Sequence, residues 1–197
     1  RFATAVIAVS EAAASAAGKF VPHGRLHMVY NWVELDRKDG AGSVEETKGL
    51  NEASDLPGST PLLLGIAHIR AGKGITHAVE AMARVVQDVP QARLLLVGAL
   101  DREPAYVDQV QALIQERGLQ ENVELAGFQR DVQPFLEKAD IFVHTSMSEG
   151  LPRVVIEAMA ARLPVVAFAV DGVMETVESG QTGYLVPGGD VDFLARA

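Results

Sequence analysis

The sequence predicts an α/β protein built on a doubly wound, Rossmann-like parallel sheet with helices on both faces. Short runs rich in Val, Ile and Leu, such as LLLVG at residues 94–98 and PVVAFAV at 164–170, carry no polar alternation, as strands buried on both faces do. Between these runs lie longer segments in which apolar residues return at helical spacing. A length of 197 residues suits one well-buried domain, so residues 1–197 are expected to form a single unit.

Taken in order, strands are expected at residues 5–9 and 26–30, each a short apolar run. Residues 37–59 are rich in Gly, carry an acidic excess and show no apolar period, so a mobile loop or insertion is expected there. A strand at 62–67 then precedes a helix at 76–89, where Val79, Met82, Ala83 and Val86 share one face. The strand at 93–98 precedes a helix at 106–117, marked by Val107, Val110, Leu113 and Ile114. Strands at 123–126, 140–144, 164–168 and 183–186 follow, with helices at 132–138, 153–161 and 173–178 between them. The closing DFLARA, residues 192–197, reads as the opening of an amphipathic helix. With no initiator Met and this helix cut short, the chain reads as a fragment whose missing part holds half of an active site.

Composition narrows the chemistry. A content of 48% apolar and 22% charged residues is that of a globular protein rather than a disordered one. A net charge of −9 offers no footprint for a polyphosphate backbone, which argues against a nucleic-acid partner. The absence of Cys excludes disulfides and thiolate chemistry, and His23, His27, His68, His77 and His144 lack the spacing of a metal set. No apolar run is long enough to span a bilayer, so a soluble, cytoplasmic protein is expected, with room for peripheral membrane attachment in a longer chain.

The segment SEGLPRVVIE, residues 148–157, joins a strand end to a helix beginning near Arg153. A helix N-terminus offers unpaired N–H groups and a partial positive charge, which suits a diphosphate. Gly150 allows close backbone approach, and Pro152 suits helix entry. Glu149 and Glu157 would repel a phosphate and more naturally accept from the paired hydroxyls of a sugar or ribose. The helix dipole alone also explains Glu157.

A second loop, AHIRAGKG at residues 67–74, carries Arg70 and Lys73 among glycines that allow it to turn around a ligand. Fixed cations there would stabilise the negative charge that grows on a departing diphosphate. Simple solvation explains either residue taken alone.

The stretch HTSMSEGLPRVVIEAMAARLPVVAF, residues 144–168, resembles the signature of the GT-B retaining glycosyltransferases that include sucrose, glycogen and mannosyl transferases. Its two Glu separated by seven residues, followed by EAMA and LPVV, carry the resemblance, which extends to residues 5–13, 29–37 and 179–190. The resemblance implies the C-terminal, donor-binding half of a GT-B fold, with an acceptor-binding N-terminal domain outside the chain. It implies a nucleoside-diphosphate sugar, of UDP or GDP type, as donor substrate and no tightly bound cofactor. It assigns Glu149 to the donor sugar, Glu157 to the ribose, and the backbone of Gly150, Leu151 and Pro152 to sugar and diphosphate. Lys73 corresponds to the diphosphate-gripping Lys, whereas His68 stands where the family usually has Arg, with Arg70 two residues on. Gly98 matches a Gly near the diphosphate, Phe128 and Gln129 lie where the family approaches the nucleobase, Asn31 matches an Asn beside the interdomain cleft, and Glu175 matches a family Glu. Lys73 and Glu149 are the expected catalytic pair, with no protein nucleophile and no metal. The alternatives are a non-catalytic nucleotide-sugar-binding module and a sugar-nucleotide epimerase or hydrolase of the same architecture.

Overall fold

The computed structural model describes residues 5–33 and 60–197. The loop expected at 37–59 lies outside them. Among the described residues eight strands form, β1 (Val6–Ala8), β2 (Leu26–Met28), β3 (Leu62–Ile66), β4 (Arg93–Val97), β5 (Val123–Gly127), β6 (Ile141–His144), β7 (Val165–Phe168) and β8 (Gly183–Val186). The helices are α1 (Glu11–Gly18), α2 (Ile75–Asp88), α3 (Pro104–Glu116), α4 (Gln133–Lys138), α5 (Arg153–Ala160) and α6 (Val191–Arg196).

All pairings among these eight strands are parallel, but the strands fall into two sheets rather than one. Among the described residues β1 pairs with β2 alone, and the other six run in the order β5-β4-β3-β6-β7-β8. Counted within the larger sheet, this is the doubly wound order 3-2-1-4-5-6, with its reversal between β3 and β6.

The unbroken apolar runs follow from packing on both faces. In β4, Leu94 and Leu96 face a cluster with Val79 and Met82 of α2 and Val110 and Ile114 of α3. The intervening Leu95 and Val97 face Phe135 and Leu136 of α4 and Val155 and Ala158 of α5. β7 divides likewise, Val165 and Ala167 joining the α4 and α5 side while Val166 and Phe168 pack with Leu194 of α6. Arg84 of α2 and Asp192 of α6 form an ion pair at 2.9 Å that fastens the last helix to the same face.

Two local expectations change. Residues 173–178 do not form an α-helix; a short 3-10 turn spans Asp171–Val173 instead. Thr176 Oγ1 donates to the Gly172 carbonyl and Glu178 N–H donates to Thr182 Oγ1, so local side-chain bonds take the place of a helical ladder. Conversely, α1 forms without an apolar stripe and buries no residue, its start set by Ser10, whose Oγ accepts from Ala13 N–H at 3.1 Å.

The β1-α1-β2 unit is tied to the larger sheet by Glu175. Its carboxylate accepts from Glu11 N–H at 2.8 Å and Ala12 N–H at 3.0 Å, so a side chain from beyond β7 closes the N-terminus of α1. Glu175→Ala is expected to speed amide exchange at residues 11–13 by the equivalent of a lost cap, about 0.5–2 kcal/mol of local stability, while the amides of β3 and β4 stay protected. Hydrogen-exchange mass spectrometry reads both.

Candidate functional site

The site lies where the strand order reverses. β3 leads on to β4 at one side and β6 to β7 at the other, so the loops after β3 and β6 part at the carboxyl ends of the strands. They leave a cleft of about 380 Å³. Its β4 and β5 side presents His68, Gly98, Ala99, Phe128 and Gln129. The β6 side presents Lys73, His144, Glu149, Leu151, Pro152 and Arg153. A second hollow of about 250 Å³, between α2, α6 and the sheet, is lined by apolar side chains such as Met82, Val166 and Leu194, and offers little to orient a polar ligand.

The start of α5 opens into the cleft. Pro152 occupies the N-cap without a capping side chain, and Val155 and Ile156 N–H both turn to the Pro152 carbonyl. Among the described residues, the N–H groups of Arg153 and Val154 have no hydrogen-bond partner, and both residues line the cleft. Two free donors at the positive end of a helix suit an anion.

Next to that helix end, Lys73 Nζ meets Glu149 Oε1 at 2.5 Å, with both side chains largely buried. His144, at the end of β6 and only 3% exposed, brings Nε2 to 3.3 Å from the same oxygen without the alignment of a hydrogen bond. Burial alone would raise the Glu149 pKa. Contacts with His144, Lys73 and Ser146 outweigh it and hold the carboxyl at about 2, so the group is ionised at neutral pH.

One side-chain and one backbone hydrogen bond fix the two loops relative to each other. Thr145 Oγ1 donates to the Lys73 carbonyl at 3.1 Å, and Met147 N–H donates to the Gly72 carbonyl at 3.2 Å. Asp171 holds the other side of the Glu149 loop, its Oδ2 accepting from Ser148 Oγ at 2.8 Å and Glu149 N–H at 3.0 Å. Asn31 Nδ2 donates to the Leu151 carbonyl at 2.7 Å, which joins the β1-α1-β2 unit to the cleft wall. At Gly98 the turn after β4 runs so close to β3 that a Cβ would overlap the Ala67 carbonyl.

Most of the residues singled out from sequence therefore meet. His68, Lys73, Gly98, Phe128, Gln129, Glu149, Leu151 and Pro152 line one cleft. Arg70, Gly150 and Glu157 are not part of that lining. Ile69 is 1% exposed and anchors the chain in the core, after which Arg70 turns outward and stays exposed. Glu157 sits one turn into α5, half-buried, with Arg153 Nη2 at 3.5 Å. Phe128 is 70% exposed, so it is a cleft residue rather than a core one. His144, Arg153 and Asp171 were missed as site residues. The only local signal for His144 was its place as the last residue of a strand that feeds the loop.

The fold and its cleft place the chain among the GT-B-type glycosyltransferases, in agreement with solved structures. The Anabaena Alr3699/HepE structure in complex with UDP-glucose matches the whole chain with a TM-score of 0.86 and 29% identity, and the chain covers 53% of that one. The particular family is the glycosyl transferases group 1, whose model matches residues 47–197, and the chain belongs to it. The lipopolysaccharide core biosynthesis glycosyltransferase LpsE of Rhizobium meliloti is 33% identical over 143 residues, covering 73% of this chain and 40% of that protein. The N-acetyl-alpha-D-glucosaminyl L-malate synthase of Bacillus anthracis is 29% identical over 176 residues, covering 88% of this chain and 43% of that protein. The chain thus spans less than half the length of either relative. Among the described residues, no helix is long and apolar enough to cross a membrane, and no group of three or more His, Cys, Asp or Glu is placed to hold a metal.

Proposed function

We propose that this chain is the donor-binding half of a retaining glycosyltransferase, which transfers a sugar from a nucleoside-diphosphate sugar to an acceptor held by a domain outside residues 1–197. The observation that carries this reading is the Lys73–Glu149 pair set beside the free N–H groups of Arg153 and Val154. A cation and a helix end suit a diphosphate, and an ionised carboxylate between them suits sugar hydroxyls. The UDP-glucose complex of the Anabaena neighbour supports a donor of UDP type, with a GDP-type donor as the alternative.

In this reading the diphosphate lies against the start of α5 and Lys73, the sugar addresses Glu149 and the backbone at 150–152, and the base reaches Phe128 and Gln129. Glu157 accepts from the ribose, and His68 offers a ring nitrogen from the opposite wall of the cleft, while Arg70 points away from it. Lys73 stabilises the charge that grows on the leaving phosphate, and that phosphate takes the proton of the acceptor hydroxyl on the same face, which retains configuration without a protein nucleophile. The isolated chain binds nucleotide weakly and transfers little, because the acceptor and the closing half are missing.

Calorimetry on the full-length protein with UDP and UDP-glucose tests the assignment. Glu157→Ala is expected to weaken both ligands about tenfold, and Glu149→Ala to weaken UDP-glucose by about that factor with little effect on UDP. The reverse pattern overturns the two roles. His68 in place of the usual Arg favours one second reading, a non-catalytic module, for which UDP-glucose would bind without transfer to any acceptor.

A further inference from the structure

We propose that His144 is a positioning residue that holds Glu149 in its sugar-accepting orientation when Lys73 is drawn to the donor's diphosphate; this rests on the donor-binding reading above. Lys73 has two claimants. In the present structure its ammonium lies on Glu149 Oε1, yet the proposed reaction needs the same ammonium on the leaving phosphate. Once it shifts, the largely buried Glu149 side chain is left without its counter-charge, and an unpaired buried carboxylate either takes up a proton or swings to water. Either change would remove the acceptor that the sugar needs.

His144 is placed to prevent this. It ends β6, two residues after Phe142, whose ring lies nearly parallel to the imidazole with centroids 6.4 Å apart. Its Nε2 is fully buried, has no hydrogen-bond partner and lies 3.3 Å from Glu149 Oε1, the oxygen that Lys73 would vacate. A nitrogen facing a carboxylate at that distance carries a proton in either charge state of the ring. Besides Glu149, the titratable or charged groups that line the same cleft as His144 are Lys73, from the turn before α2, His68 and Arg153. Departure of Lys73 lets Glu149 close the short gap and align with Nε2, which satisfies a donor that is orphaned before the donor substrate arrives. Oε1 stays occupied throughout, and Oε2, which takes no hydrogen bond among the described residues, remains for a sugar hydroxyl.

The test uses the full-length protein with His144→Leu, which keeps apolar bulk but removes the donor, and His144→Gln, whose amide N–H reaches the same place. Three readouts separate positioning from packing. The Glu149 carboxyl, followed by its carbon-13 resonance without ligand, is expected to titrate about one unit or more higher in His144→Leu than in the wild type, and to return toward the wild-type value in His144→Gln. In calorimetry, His144→Leu is expected to weaken UDP-glucose about tenfold while UDP stays within about twofold, with His144→Gln recovering most of the difference. In a Glu149→Gln background, His144→Leu should cost much less, because the partner it acts through is gone. An unmoved Glu149 titration, an equal loss for UDP and UDP-glucose, or a Gln variant as impaired as the Leu variant overturns the proposal. If the wild type binds neither ligand, the donor reading fails, and the titration still decides whether His144 governs Glu149.

Discussion

Lys73→Ala is expected to lower the transfer rate of the full-length protein by about 10²–10³-fold, the scale of removing one fixed stabiliser of transition-state charge. The loss should fall on kcat more than on KM. In the proposed reaction the leaving diphosphate gains its last unit of charge as the glycosidic bond breaks, so the Lys73 ammonium would interact more strongly with the transition state than with the bound donor. In the proposed binding mode the ground state would keep the N–H groups of Arg153 and Val154, which Lys73→Ala leaves in place. Lys73→Arg should recover only part of the rate, because a planar guanidinium does not reproduce a compact ammonium wedged against one carboxylate oxygen. Steady-state kinetics with a saturating acceptor checks all three statements. An increase in KM with kcat preserved would show Lys73 to be a plain ground-state contact.

The same substitution makes Glu149 easier to protonate. With Lys73 present, the carboxyl sits at about 2, below the ordinary range, so the stability it contributes is present above the unfolded carboxylate pKa and is lost as pH falls toward 2. Removal of Lys73 takes away one of the contacts that offset burial, and the midpoint moves up. That consequence depends on contacts among residues 73, 144, 146 and 149, which belong to different elements or to a tight loop.

This distinction marks what was readable from the chain. The strands were legible because each interior strand is apolar on both faces, as Leu94 to Val97 illustrate, so a run survives without any knowledge of its neighbours. The helix α1 was not, because EAAASAAG has no apolar stripe to detect and buries nothing. Within the site, loop position after a strand located Lys73 and Glu149, since the doubly wound order sends both loops to one end of the sheet. Pairing across the sheet was not readable. Nothing near Asp171 announces that its carboxylate holds Ser148 and Glu149, more than twenty residues back in the chain. Arg70 and His68 show the same limit on a smaller scale. Both are cationic candidates two residues apart, and the burial of Ile69 between them followed by the turn at Ala71–Lys73 decides which one lines the cleft.

Gly172→Ala is expected to damage the cleft from behind, at a residue that touches no ligand in the proposed binding mode. Gly172 is buried in the turn after β7, and a Cβ there would overlap the carbonyl oxygen of Gly150. The obstruction is backbone rather than a flexible side-chain end, so it is relieved only by moving one loop off the other, and overpacking of this kind costs about 1–3 kcal/mol. The strain reaches the Glu149 loop directly, because Gly172 N–H also donates to the Glu149 carbonyl at 3.4 Å and the adjacent Asp171 accepts from Glu149 N–H. Displacement would draw Glu149 away from Lys73 and His144 and shift the start of α5, so both stability and donor binding should fall together. Thermal unfolding and UDP-glucose calorimetry on the same sample read the two effects. Gly24→Ala is the matched control, since a Cβ at Gly24 meets open space and such a surface change stays within about 0.5 kcal/mol. If Gly172→Ala lowered the unfolding temperature but left UDP-glucose affinity at the wild-type level, the turn after β7 would be a packing element only, and the Glu149 loop would hold its position without it.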